Sequence, residues 1–122
     1  ARGFISGINL VTIPCATSIN EKIKSAAVQL NENIHIGIIA TGDQFISNKE
    51  KLLDIKNTFK AIACEMEAGS IGHVCLVNNV DFAALKVISD NADENSSIDY
   101  EKFKIIVAKK TTLLIETAIA NF

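Results

Sequence analysis

Phe82-Ala83-Ala84-Leu85-Lys86-Val87-Ile88-Ser89-Asp90 is a mostly apolar run that stops at a hydroxyl and a carboxylate, and the polar residues Asn91-Ala92-Asp93-Glu94-Asn95-Ser96-Ser97 follow it. Such a run is what a strand buried on both faces looks like. In open α/β sheets, ligands settle in the crevice beyond the carboxyl ends of the strands, so Ser89 and Asp90 stand where chemistry is usually done. The plainer reading of Asp90 is that it starts a turn or caps a helix. The segments on either side weigh between the two.

Upstream, Ser18 and Glu21 have the spacing of a capping box, and Ile19, Ile23, Ala26, Ala27 and Leu30 recur on one face of the helix that should follow. Ile34 to Thr41 is short and rich in β-branched residues, and it reads as a buried strand ending at Gly42-Asp43. Ser47 to Glu50 repeats the capping spacing ahead of a helix whose buried side is Leu52, Leu53, Ile55 and Phe59. Ala61 to Cys64 reads as a further short strand, and Glu65 to Ser70 leads into a helix through Val74 and Leu76. Gly69 and Gly72 inside that helix cost about 1 kcal/mol each relative to alanine, which is tolerated where backbones pack closely. Downstream, Asp99 is a good N-cap for a long helix carrying Tyr100, Phe103, Val107, Leu114 and Ala118 at helical spacing. Residues 1–17 carry Gly3, Gly7 and Pro14 in an apolar scatter, with Ile8 to Ile13 either a short strand or a packed loop.

Alternation of helix and strand specifies an α/β layer structure with a largely parallel sheet. The three strand ends, at Gly42-Asp43, Glu65 to Glu67 and Ser89-Asp90, then fall on one edge. That convergence of acidic groups raises the site reading of Asp90 above the plain one.

Composition narrows the functions open to such a fold. The 122 residues are 48% hydrophobic with a formal net charge of -2, enough apolar material for one core and too little positive charge for a nucleic-acid surface. No apolar run reaches membrane-spanning length, and no signal-peptide pattern is present, so a soluble cytoplasmic protein is expected. Cys15, Cys64 and Cys75 have no paired spacing and read as reduced thiols. His35 and His73 lack partners at metal-ligand spacing, and Asp90, Asp93 and Glu94 lack the alternation and glycine of a calcium loop; no metal is expected. Met66 is the only methionine, so Ala1 is not an ordinary translational start, and a processed chain or a piece of a longer one is expected.

Within the acidic edge, the residues suggest roles. Glu67 at a helix start would stay ionised, and an ionised carboxylate can accept from two hydroxyls at once, as a ribose diol requires. Simple stabilisation of the helix end is the competing role. Met66 suits either the core or a polarisable surface against a sugar. Phe45 and Ile46, large apolar side chains in a loop, either plug the core or form a wall for an aromatic ligand. A dry Asp90 would have a raised pKa and could donate a proton near neutrality, oriented by Ser89.

Three separated stretches carry a family resemblance: Thr41-Gly42-Asp43-Gln44-Phe45-Ile46; Ala63-Cys64-Glu65-Met66-Glu67-Ala68 with Ile71-Gly72-His73-Val74-Cys75; and Val87-Ile88-Ser89-Asp90 with Ala92-Asp93. In order and spacing, from about Ile34 to the C-terminus, the chain resembles the 5'-methylthioadenosine/S-adenosylhomocysteine nucleosidases of the nucleoside phosphorylase superfamily. The resemblance implies a three-layer αβα sandwich with a mostly parallel or mixed sheet, present here incompletely, with residues 1–122 forming the C-terminal portion of a single domain. It implies hydrolysis of an N-glycosidic bond with release of adenine, a place in methionine salvage, and neither metal nor organic cofactor. Asp90 would protonate the purine N7 with help from Ser89, Phe45 would stack on the purine, and the Ile46 backbone would hold its edge. Glu67 would hold the ribose hydroxyls with Met66 against the sugar, and Glu65 and Lys86 would belong to the surrounding network. Many family members have arginine where this chain has Lys86. The family's water-activating glutamate and its first glycine-containing loop have no counterpart here, so activity is expected only with an N-terminal half of the same protein. A homodimer is implied as well. Rival readings are a phosphorolytic or AMP-specific relative and a non-catalytic adenine-nucleoside binding module.

Overall fold

A computed structural model describes residues 2–89, 91 and 96–122. The described elements are α1 (Thr17–Gln29), β1 (Ile38–Thr41), α2 (Lys49–Phe59), β2 (Ala61–Glu65), α3 (Ala68–Val77) and α4 (Ser96–Ala120). Among the described residues, β1 and β2 form a two-stranded parallel sheet, in register Ile39 to Ala63, Ala40 to Cys64 and Thr41 to Glu65. Parallel pairing with α2 as the crossover brings both strand ends to the same edge, as the alternating pattern requires. The class is α/β, with an open sheet.

The core lies between α1 and α4. Ala26 and Ala27 are fully buried against Leu114 and Ala118, and Ile23, Leu30, Ile34 and Leu85 pack around them. Two small side chains on one helix face allow the helices to approach closely, which is why the periodic face read from α1 is the one that is covered. Lys22 and Gln29 of α1 fasten the far end of α4, donating to the backbone and side-chain oxygens of Asn121 at 2.6 and 3.2 Å. The outer turns of α4 are different: Tyr100 and Phe103, expected on the buried face, are about half exposed. So is Leu53 of α2, a helix with no fully buried residue.

Several local expectations are corrected. Phe82 to Ser89 forms no strand; β1 is the four residues Ile38–Thr41 rather than eight, and Ile8 to Ile13 contributes only the bridge between Ile5 and Leu10. A strand exists only where a neighbour completes its ladder, and neither Asn33 to Gly37 nor Ala83 to Ile88 makes a backbone–backbone hydrogen bond among the described residues. Ser18 and Glu21 form no capping box. Ala16 is the N-cap of α1, and its N–H donates to the Phe82 carbonyl at 2.7 Å, so a tertiary bond holds the helix entrance. At α2 the cap is Asn48, whose side chain accepts from the Lys51 N–H at 3.1 Å, one residue after the expected Ser47. Helix α4 starts at Ser96, three residues before Asp99.

Both interior glycines of α3 have a packing reason. A Cβ on Gly69 would come within 2.8 Å of the Thr41 Cβ, and one on Gly72 would meet the Phe82 ring at the same distance. Helix α3 can therefore lie against β1 and against the chain after it.

Candidate active site

The parallel pair delivers Thr41 and Glu65 side by side at the edge where α3 begins. Glu65 is the hub. Its side chain is only 2% exposed; its Oε2 accepts the N–H groups of Glu67 and Ala68 at 2.7 Å each, and its Oε1 accepts the Thr41 hydroxyl. Thr41 Oγ1 in turn accepts the Gly69 N–H at 2.9 Å. Three consecutive amides at the entrance of α3 are thus satisfied by side chains from the strand ends. These are groups that a helix cannot satisfy itself.

Burial alone would push the Glu65 carboxyl up. The hydrogen bonds from Thr41, Ala68 and Glu67, together with the Lys86 charge, outweigh it and hold the group below its ordinary 4.5. Lys86 Nζ lies 3.6 Å from Glu65 Oε2 and 3.4 Å from Glu67 Oε2, bridging the two carboxylates.

This division of labour decides what Glu67 can do. It occupies the N-cap position of α3, where its own carboxylate would ordinarily bond the helix amides, yet it makes no such bond. Glu65 already fills that role, so the Glu67 carboxylate, 67% exposed, points outward with Lys86 as its neighbour. An acceptor held in this way can take hydroxyl donors from a ligand. The sequence reading placed Glu65 only in the surrounding network. The signal was there to be read, because amides two and three residues after an acceptor side chain are the ones an N-cap residue satisfies.

The other candidates are less concentrated. Met66 faces a cleft of about 910 Å3 that also takes in Thr41, Gly42, Asp43 and Lys86. Glu65 and Glu67 line a second cleft of about 360 Å3 beside α4, and Lys86 belongs to both. Phe45 and Ile46 follow β1 in the loop before α2; Phe45 is half exposed, and neither residue lines either cleft. Ser89 is half-buried at the end of the segment carrying Lys86. Asp90, Asp93 and Glu94 lie outside the described residues. Among the described residues no cluster of three or more His, Cys, Asp or Glu side chains could hold a metal ion, and no helix is long and apolar enough to cross a membrane.

Comparison with known proteins places this edge in context. The family model described as the phosphorylase superfamily matches residues 7–120. The chain belongs to the phosphorylase superfamily. An S-adenosylhomocysteine nucleosidase from Streptococcus pyogenes, solved with 5-methylthiotubericidin, superposes with a TM-score of 0.93 at 26% identity, covering 100% of this chain and 52% of that one. An aspartate-to-asparagine variant of the Helicobacter pylori MTAN, with 5'-methylthioadenosine in its active site, gives a TM-score of 0.87 at 31% identity over 90% of this chain and 48% of that one. Futalosine hydrolase of Helicobacter pylori gives 0.86 at 32% identity, over 90% and 47%. The superfamily fold, α/β with helices packed about a sheet, is therefore the fold of this chain, which spans about half the length of these three neighbours.

Proposed function

We propose that the chain is the nucleoside-gripping and acid-supplying half of a nucleosidase that hydrolyses the N-glycosidic bond of 5'-methylthioadenosine and S-adenosylhomocysteine, releasing adenine. The observation that supports this reading is the pair of glutamates: Glu65 caps α3, leaving an exposed Glu67 carboxylate beside Lys86.

In this reading Glu67 accepts from the ribose 2' and 3' hydroxyls while Met66 lies against the sugar. Phe45 stacks on the purine and the Ile46 backbone holds its edge. The C1'–N9 bond breaks with its electron pair moving into the purine, and Asp90, oriented by Ser89, gives its proton to N7, so adenine leaves as a neutral base. Water then adds its hydroxyl to C1' of the oxocarbenium-like ribosyl group, and its proton passes to a base on the other half of the fold. The chain alone lacks that base and is inactive, and the active form pairs with the N-terminal half and assembles as a homodimer in the cytoplasm.

Likeness to a futalosine hydrolase keeps one competitor in the assay. The test is adenine release from 5'-methylthioadenosine, S-adenosylhomocysteine and adenosine, and base release from futalosine, by the chain mixed with the remaining half of the S. pyogenes nucleosidase. Turnover of the methylthio substrate without phosphate, lost in Asp90→Asn, supports the proposal. A phosphate requirement would point to a phosphorolytic relative, and calorimetric binding of adenosine with no release would point to a non-catalytic module. Adenine release by the chain alone, abolished by Asp90→Asn, would overturn the claim that the other half is needed.

A further inference from the structure

Glu67 stands at the N-cap position of α3, where a glutamate has an alternative to holding a ligand. A side chain at that position ordinarily turns back and accepts from the amide two or three residues on, here Gly69 or Ser70. Glu65 takes the amides of Glu67 and Ala68, but the Gly69 amide is taken by Thr41 Oγ1, at 2.9 Å. An N–H only donates, so the Thr41 oxygen accepts there and its own proton is committed to Glu65 Oε1. Glycine at position 69 permits this approach, since a Cβ there would lie 2.8 Å from the Thr41 Cβ. The end of β1 is held in place by the next residue, whose N–H donates to the Glu65 carbonyl: Gly42 to Glu65 is 3.1 Å.

We propose that Thr41 is a positioning residue for the ribose grip: by occupying the Gly69 amide it keeps the Glu67 carboxylate from turning back onto its own helix, and so leaves that carboxylate to accept the 3' hydroxyl of a nucleoside. In the structure Glu67 makes no bond to α3 and lies 3.4 Å from Lys86 Nζ instead. Removing the Thr41 hydroxyl orphans the Gly69 N–H and frees Glu65 Oε1 together. An unsatisfied amide in the first turn of a helix carries part of the positive end of its dipole and attracts the nearest carboxylate. That carboxylate is Glu67, and once engaged by the helix it accepts less from a ligand. Thr41 therefore sets how strongly the site distinguishes a ribose from a sugar lacking the 3' hydroxyl, acting through Glu67. This deepens the proposed function and rests on it for the identity of the ligand.

Calorimetric binding of adenosine, 3'-deoxyadenosine and adenine tests it, using the chain combined with the remaining half of the S. pyogenes nucleosidase and carrying Asp90→Asn to halt turnover. This parent pair should bind adenosine about tenfold or more tightly than 3'-deoxyadenosine, the scale of a hydrogen bond to a charged group. Thr41→Val, and Thr41→Ala in case the extra methyl disturbs Gly69, should cut that preference to about threefold or less while leaving adenine binding unchanged. Thr41→Ser keeps the hydroxyl and should keep the preference. The ratio of two affinities does not depend on the folded fraction, which the binding stoichiometry reports, so lost stability does not imitate the effect. A preference that survives in Thr41→Val and Thr41→Ala, or is lost in Thr41→Ser, overturns the proposal; so does adenine binding that weakens in step with adenosine, by showing a general disturbance of the site. A parent pair that binds both nucleosides equally, or neither, sinks the ribose-gripping reading of Glu67 and this inference with it, an outcome distinct from failure of Thr41 alone.

Discussion

Replacing Glu65 with glutamine keeps the size of the side chain and removes its charge. One oxygen of the amide can still accept, but its NH2 must face either the two α3 amides or the Thr41 hydroxyl, which now has to turn. Loss of an N-cap acceptor costs about 1 kcal/mol, and a hydrogen bond to a charged group is worth about 1.5–3 kcal/mol. Lys86 adds little, being more than a third exposed and able to keep Glu67 as a partner. Because the bonds share one carboxylate they do not add, and a net destabilisation of about 2–3 kcal/mol is expected. The loss should depend on pH. The folded carboxyl lies below its ordinary 4.5, so its contribution is complete above that value and disappears as pH falls through the folded value. Urea unfolding of the chain and of Glu65→Gln, followed by circular dichroism from pH 7 to pH 3, measures both effects. The gap between the two proteins should be full at neutrality and close towards the acid end. A gap within about 0.5 kcal/mol of zero at pH 7, the range of ordinary surface substitutions, would refute the assignment of Glu65 as the cap of α3.

Thr41→Val removes the hydroxyl that links Glu65 to the Gly69 amide, and should cost about 1–2 kcal/mol in the same unfolding assay. Gly69→Ala sets helix propensity, a gain of about 1 kcal/mol, against a Cβ only 2.8 Å from the Thr41 Cβ; overpacking costs about 1–3 kcal/mol, so a net loss is expected, and a gain would show that β1 and α3 are not this close. Leu114→Ala empties the centre of the α1–α4 core and should cost about 2–5 kcal/mol, with urea midpoint as the readout.

The helices were legible because an apolar face repeating every three to four residues needs only its own sequence to be read, and Ala26 and Ala27 lie where that pattern puts them. Strands are a property of pairs. The composition of Phe82 to Ser89 is that of a buried strand, but nothing within it states whether a neighbouring ladder is present, and the described chain supplies none. Caps failed for a related reason: Ser18 is suited to cap α1, but the bond from Ala16 to Phe82 fixes the helix entrance from outside the local sequence. At the site, the acidic pair and its edge were foreseen from the strand order. The ranking within the pair was not, because only the side-by-side placement of Thr41 and Glu65 shows which carboxylate is taken up by the helix entrance and which stays exposed beside Lys86.

The central claim is that Glu67 and Asp90 serve one glycosidic cleavage in a protein completed by the other half of the fold. Adenine release from 5'-methylthioadenosine by the chain combined with the remaining half of the S. pyogenes nucleosidase tests it most directly, with Glu67→Gln and Asp90→Asn measured beside it. The account predicts release by the pair, no release by the 122-residue chain alone, and a loss of about 10²-fold or more in Asp90→Asn, the scale of a general acid. Release by the pair that neither substitution slows would contradict it.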